Sequence, residues 1–136
     1  IVARGDWVRA HGLKPLARIV GGAAVAVPPE IMGIGPAPAI RAAAARAGIS
    51  VSDIGRVEIN EAFGAQYLAC ERELGLDRDK SNVHGGAIAI GHPLGASGVR
   101  LTLTAARALK EAGLQYGVSS ACAGGGQGVA VIIENV

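Results

Sequence analysis

Gln115-Tyr116-Gly117-Val118-Ser119-Ser120-Ala121-Cys122-Ala123-Gly124-Gly125-Gly126-Gln127-Gly128-Val129-Ala130-Val131-Ile132-Ile133 sets two runs of small and β-branched residues on either side of a glycine cluster. Runs of this kind read as two strands, and the glycines between them supply the backbone freedom of a tight reversal, so an antiparallel pair is expected. Upstream, Arg100, Thr104, Arg107 and Glu111 recur at helical spacing and mark the wet face of a helix that Gly113 caps. Before that helix lies a glycine-rich segment from Gly85 to Gly98.

Further toward the amino terminus, Arg56 to Ile59 reads as a short strand that feeds directly into Asn60-Glu61. Phe63, Tyr67, Cys70 and Leu74 then repeat at helical spacing up to Gly75. Pro36 or Pro38 fits the first turn of an alanine-rich helix that stops at Gly48, and Ser52-Asp53 supplies turn chemistry after it. Ala17 to Val27 reads as one or two strands with a bulge or bend at Gly21-Gly22. Asp6 to Ala10 is a charged helical stretch, and Ile1-Val2-Ala3 reads as the end of a strand. Strands alternating with helices, followed by a hairpin, predict an α/β fold: a mixed sheet of about five strands with helices packed on it.

The chain has 136 residues, enough for one domain with its own core. Its 13 basic and 11 acidic residues are scattered, giving a formal charge of +2 and no basic stripe. That argues against a nucleic-acid partner. No apolar run approaches the length that spans a bilayer, so no membrane partner is expected. Cys70 and Cys122 lack paired spacing, which excludes a disulfide framework or a zinc knuckle and makes a reducing, cytoplasmic setting the expectation. No metal site is expected.

Three polar residues fall at element ends or in loops, where open α/β sheets place ligands. His92, between Gly91 and Pro93, could serve as a general base or simply be a hydrogen-bonded loop histidine. Cys122 ends an apolar strand before three glycines, whose N–H groups would lower a thiol pKa and hold an oxyanion. A buried strand-end cysteine fits that position equally well. Asn60 could hold a water or a carbonyl oxygen, although asparagine before a helix is ordinarily a cap. His11 near a helix end and His84 beside the glycine segment have weaker cases, and Cys70 reads as a small buried hydrophobe. The glycine runs lack the residues of a phosphate loop or a dinucleotide fingerprint.

Together, Asn60-Glu61-Ala62-Phe63, the block Gly85-Gly86-Ala87-Ile88-Ala89-Ile90-Gly91-His92-Pro93-Leu94-Gly95-Ala96-Ser97-Gly98, and Cys122-Ala123-Gly124-Gly125-Gly126-Gln127-Gly128 resemble the signature segments of the thiolases. The resemblance also takes in Gly12-Leu13-Lys14-Pro15-Leu16-Ala17 and Met32-Gly33-Ile34-Gly35-Pro36, and so runs over nearly the whole chain. It implies a thiolase-like carboxyl-terminal domain over residues 15–136, with residues 1–14 a remnant of a preceding domain and a connecting helix. Thiolases are acyl-CoA C-acyltransferases that condense two acyl-CoA molecules or cleave a 3-ketoacyl-CoA with CoA.

By that resemblance His92 is the base that activates the attacking thiol, and Cys122 exchanges the proton at the α-carbon or the CoA sulfur. Asn60, through a water, steadies the enolate oxygen with His92. The Gly124 N–H binds the acyl-enzyme oxyanion, and Met32, Ala62 and Phe63 line the pantetheine and acyl tunnel. Coenzyme A thioesters enter as substrate, and no cofactor is expected. The partners implied are acyl-CoA or CoA, an amino-terminal thiolase domain and further copies in a homo-oligomer. The family's acyl-accepting cysteine has no counterpart here, because Cys70 lies in the helix after Asn60. Gly64 and Gln127 stand where many relatives carry alanine and methionine. Without that nucleophile, a noncatalytic acyl-CoA-binding or assembly module derived from a thiolase is the alternative. A ketoacyl synthase relative should carry a second histidine where Cys122 stands.

Overall fold

The computed structural model describes residues 1–136 as four strands and five α-helices with short 3-10 turns between them. In chain order these are α1 (Gly5–Ala10), β1 (Ala17–Ala26), α2 (Pro36–Ala47), β2 (Ile54–Ile59), α3 (Gly64–Leu74), α4 (Ala87–Ile90), α5 (Leu94–Ala112), β3 (Tyr116–Ala123) and β4 (Gln127–Asn135). The strands form one sheet in the order β1-β4-β3-β2. The expected hairpin is present, with Ala123 opposite Gln127 and the pairing continuing to Tyr116 opposite Glu134. β1 adds antiparallel to β4, while β2 adds parallel to β3, with Ile59 opposite Ser120.

The sheet has four strands rather than five. Ala17 to Val27 does not divide at Gly21-Gly22; the pairing with β4 shifts by one residue between Ile19 and Gly21 and then continues to Ala26. A bulge takes up the irregularity without ending the strand. Ile1 to Arg4 are exposed and outside the sheet, so the expected strand end there is absent. α1 buries none of its residues.

Successive strand residues face opposite sides of a sheet, and β4 uses this to make three layers. Ile132 joins Ile40, Ala43, Val57 and Val118 in one apolar cluster under α2. Ile133 joins Ala105, Ala106 and Leu109 of α5 in another. The sheet therefore lies between α2 and α5. Pro36 begins α2, and Gly48, Gly75 and Gly113 close α2, α3 and α5 in the left-handed conformation, as their positions in the sequence suggest. Before β2, Ser50 and Asp53 form a reciprocal cap around Val51–Asp53.

Two boundaries differ from expectation. α5 starts at Leu94, directly after Pro93, so Gly95 and Gly98 lie within a helix. Within the glycine-rich segment Ala87–Ile90 forms a single helical turn. Arg100 also departs from the wet face assigned to it: its guanidinium turns to the sheet and its Nη1 donates to Glu58 Oε2 at 3.0 Å. Arg107 and Glu111 are exposed as expected.

Candidate active site

Parallel pairing of β2 and β3 sets Ile59, the last residue of β2, opposite Ser120, and β3 runs on to Ala123. Asn60, the first residue beyond β2, donates its N–H to the Ser120 carbonyl at 2.9 Å. Cys122 follows two residues on, about 7 Å further along β3. Asn60 is 1% exposed, and its Oδ1 is buried without a partner. The cap reading fails because α3 starts at Gly64 after Phe63, three residues too late for Asn60 to reach its first turn. Instead Asn60 Nδ2 lies 3.4 Å from His92 Nε2.

His92 is exposed, and Ser97 holds its other nitrogen: His92 Nδ1 is 2.6 Å from Ser97 Oγ. The Ser97 hydroxyl donates to the Pro93 carbonyl at 3.2 Å. A hydroxyl has one proton to give; with that proton on the Pro93 carbonyl, Ser97 accepts from His92 Nδ1–H, the tautomer in which Nε2 faces the Asn60 amide as an acceptor. Ser97 is buried at 3% exposure in the first turn of α5, and so the early start of that helix is what fixes the imidazole.

The Cys122 side chain lies on the same side of β3 as Val118 and Ser120 by strand alternation and is half-buried. Burial pushes its thiol pKa up, outweighing the lowering by a backbone N–H. This corrects the expectation of a lowered value: desolvation of the half-buried sulfur outweighs the hydrogen bond, while Gly124 and Gly125 are exposed and Gly126 packs against Val27. The Gly124 N–H has no acceptor within the chain and is exposed, and Gln127 Nε2 donates to the Gly124 carbonyl at 2.9 Å.

Of the expected tunnel residues, Met32 and Ala62 are half-buried and Phe63 is 67% exposed. The turn carrying Met32 is drawn against β4, where a β-carbon on Gly128 would overlap the Gly35 carbonyl. Cys70 is fully buried, as expected, and its Sγ contacts the Gly33 carbonyl at 3.3 Å. Gln66 continues that chain by accepting from the Ala62 N–H at 3.1 Å. Ala62 and Gly33, the neighbour of Met32, are thus linked through Gln66 and Cys70 of α3. A cavity of about 270 Å³ lined by Val51, Ile54, Leu74, Leu76 and Lys80 lies at the opposite end of β2, away from His92 and Cys122. His11 stacks on Trp7 with ring centres 4.0 Å apart, and His84 reaches Glu111 at 3.3 Å, so neither joins the site.

Sequence reasoning missed three supports: Ser97 behind His92, the Glu58–Arg100 pair beneath Asn60, and Glu61. Glu58 is 1% exposed, and burial pushes its carboxyl up to about 7, against the opposing pull of Arg100. A carboxylate two residues before Asn60 and an arginine three residues after Ser97 are visible in the sequence. Nothing in the spacing shows that they meet.

Residues 13–135 match the family model described as "Thiolase, C-terminal domain". The chain belongs to the thiolase family. It is 56% identical to the human mitochondrial 3-ketoacyl-CoA thiolase over 135 residues, which is 99% of this chain and 34% of that protein. It is 51% identical to a beta-ketoadipyl-CoA thiolase of Pseudomonas knackmussii, over 100% of this chain and 34% of the relative. The crystal structure of the human enzyme superposes with a TM-score of 0.96 at 55% identity, covering 98% of this chain and 34% of that one. The same human thiolase has been solved in complex with CoA. This thiolase chain therefore spans about a third of the length of the relatives it matches. The cytoplasmic expectation is overturned, since the human and bovine relatives are named as mitochondrial enzymes; two unpaired cysteines do not distinguish one compartment from another.

Proposed function

We propose that this chain supplies the carboxyl-terminal share of a thiolase active site, catalysing acyl transfer between coenzyme A thioesters once an amino-terminal segment brings the acyl-accepting cysteine. The observation that carries this reading is the Asn60–His92 contact at the paired ends of β2 and β3, with Cys122 on the neighbouring strand, in a chain of this family. With its proton on Nδ1, His92 offers a free Nε2 to take the proton of an attacking thiol. Protonated in that step, Nε2–H becomes a donor for a thioester or enolate oxygen, and the Asn60 amide beside it holds a water toward the same oxygen.

Cys122 holds its proton at rest, because burial keeps its thiol pKa high. It acts as an acid toward a departing carbanion and, once deprotonated, as the base that removes an α-proton in condensation. The unpartnered Gly124 N–H binds the oxyanion of the acyl-enzyme. Met32, Ala62 and Phe63 flank the pantetheine arm and the acyl group. Coenzyme A, its acyl thioesters and further copies of the assembled enzyme are the partners of this reading.

The test joins this chain to a separately made amino-terminal thiolase segment and follows cleavage of acetoacetyl-CoA by CoA. Turnover should appear only on mixing, and His92→Ala should lower it by roughly 10²–10⁴. Complex formation and CoA binding without turnover would replace this reading with the noncatalytic one.

A further inference from the structure

Glu61 stands immediately after Asn60, and its two carboxylate oxygens are committed in two directions. Oε1 accepts from Asn82 Nδ2 at 3.0 Å, and Oε2 accepts from the Ile88 N–H at 2.9 Å. Asn82 is itself fixed to β2 in the manner of a missing neighbour strand. Its N–H donates to the Val57 carbonyl at 2.8 Å, its Oδ1 accepts from the Ile59 N–H at 2.9 Å, and its Nδ2 also donates to the Ile59 carbonyl at 3.0 Å. Ile88 lies in α4, the single turn that leads into Gly91 and His92. Among the hydrogen bonds made by residues 85–91, the bond from Ile88 to Glu61 is the one that joins this stretch to the end of β2; the others close within the loop or return to Asn82. Gly86 sits so close that a β-carbon there would overlap the Glu61 carboxylate.

We propose that Glu61 is a positioning residue: braced by Asn82, its carboxylate sets the height of the loop so that His92 Nε2 meets the Asn60 amide. The chemical contact and its brace are sequence neighbours, so a displacement of Glu61 is transmitted to both sides of the pair. A glutamine keeps one acceptor for the Ile88 N–H but turns an N–H₂ toward the N–H₂ of Asn82, while an alanine removes both bonds.

The catalytic arm of the test rests on the thiolase reading; the spectroscopic arm does not. In the first, Glu61→Ala in the assembled enzyme lowers kcat by about 10²-fold, the scale of a misplacement near 1 Å. The KM for CoA stays within about twofold, because uniform binding is untouched. Glu61→Gln falls between. In the second, the labelled 136-residue chain is observed by NMR. The through-space cross-peak between the Asn60 carboxamide protons and the His92 ring is lost in Glu61→Ala and weakened in Glu61→Gln. It persists in Ile132→Val, a core change that lowers stability without touching the site. A kcat within threefold of the unmodified enzyme in both Glu61 variants, or a cross-peak as strong as in Ile132→Val, overturns the proposal. Should the unmodified assembly show no turnover, the functional reading fails and the cross-peak alone decides the role of Glu61. Should Glu61→Ala not fold, Glu61→Gln decides it.

Discussion

At the scale of single residues, the proposed site depends on protons being placed before any substrate arrives. With the Ser97 hydroxyl donating to Pro93, the matching tautomer of His92 carries its proton on Nδ1 and presents a lone pair at Nε2. Burial keeps the Cys122 thiol protonated, the complementary state. Glu58, two residues before Asn60, is held by burial at a pKa of about 7 against 4.5 for an ordinary glutamate. The unfolded chain releases this proton near the lower value, and the folded chain keeps it until the higher one. The native state therefore binds more protons across that window, so the contribution of Glu58 to stability is complete below the lower value and is lost as pH rises through about 7. By linkage the loss is about 3 kcal/mol. Urea unfolding at about pH 4.5 and about pH 7.5 should show this decline in the unmodified chain and a flatter dependence in Glu58→Gln. Equal slopes in the two proteins would show that Glu58 titrates as an exposed carboxyl.

At the scale of elements, α4 and α5 present apolar side chains outward around His92. Ile88 is 69% exposed, Leu94 84% and Val99 71%, with Phe63 at 67% on the adjoining loop. These residues satisfy helical geometry without burying anything in this chain. An apolar surface of that kind favours association. The isolated chain should therefore self-associate in sedimentation velocity at micromolar concentration, and an added amino-terminal thiolase segment should suppress this. A monodisperse monomer across that range contradicts the prediction.

The same elements show what the sequence makes legible. The hairpin, α2 between Pro36 and Gly48, and the helix caps follow from local chemistry, because glycine and proline act within one turn of chain. The start of α5 is hidden because Gly95 and Gly98 weaken helix propensity, and packing of Leu101, Ala105 and Leu109 on the sheet overrides that weakness. The partners of Arg100 and Glu61 are hidden for a different reason. Both contacts link segments distant in sequence, Glu58 to Arg100 and Glu61 to Ile88, and no local pattern encodes such pairs.

At the scale of the whole molecule, one parallel strand pair organises the chemistry. β2 and β3 run parallel with Ile59 opposite Ser120; Asn60 continues one, Cys122 lies near the end of the other, and the loop between α4 and α5 lays His92 against Asn60. Two of the segments that resemble thiolase signatures in the sequence thus meet in the Asn60–His92 contact, with Cys122 of the third on the strand beside β2; a contact so distant in sequence is why Asn60 taken alone reads as a cap. The chain covers about a third of the length of its relatives, and in the proposed reading these residues form one wall of a site that the rest of a thiolase completes.

The central claim is that Asn60 and His92 act as one unit on the same oxygen. A double-mutant cycle on acetoacetyl-CoA cleavage by the assembled enzyme tests it most directly, using Asn60→Ala, His92→Ala and both together. Residues acting as a unit are non-additive, so the double variant should be within about threefold of the slower single variant. Losses that multiply across the cycle would mean that the two side chains work independently, which contradicts the claim.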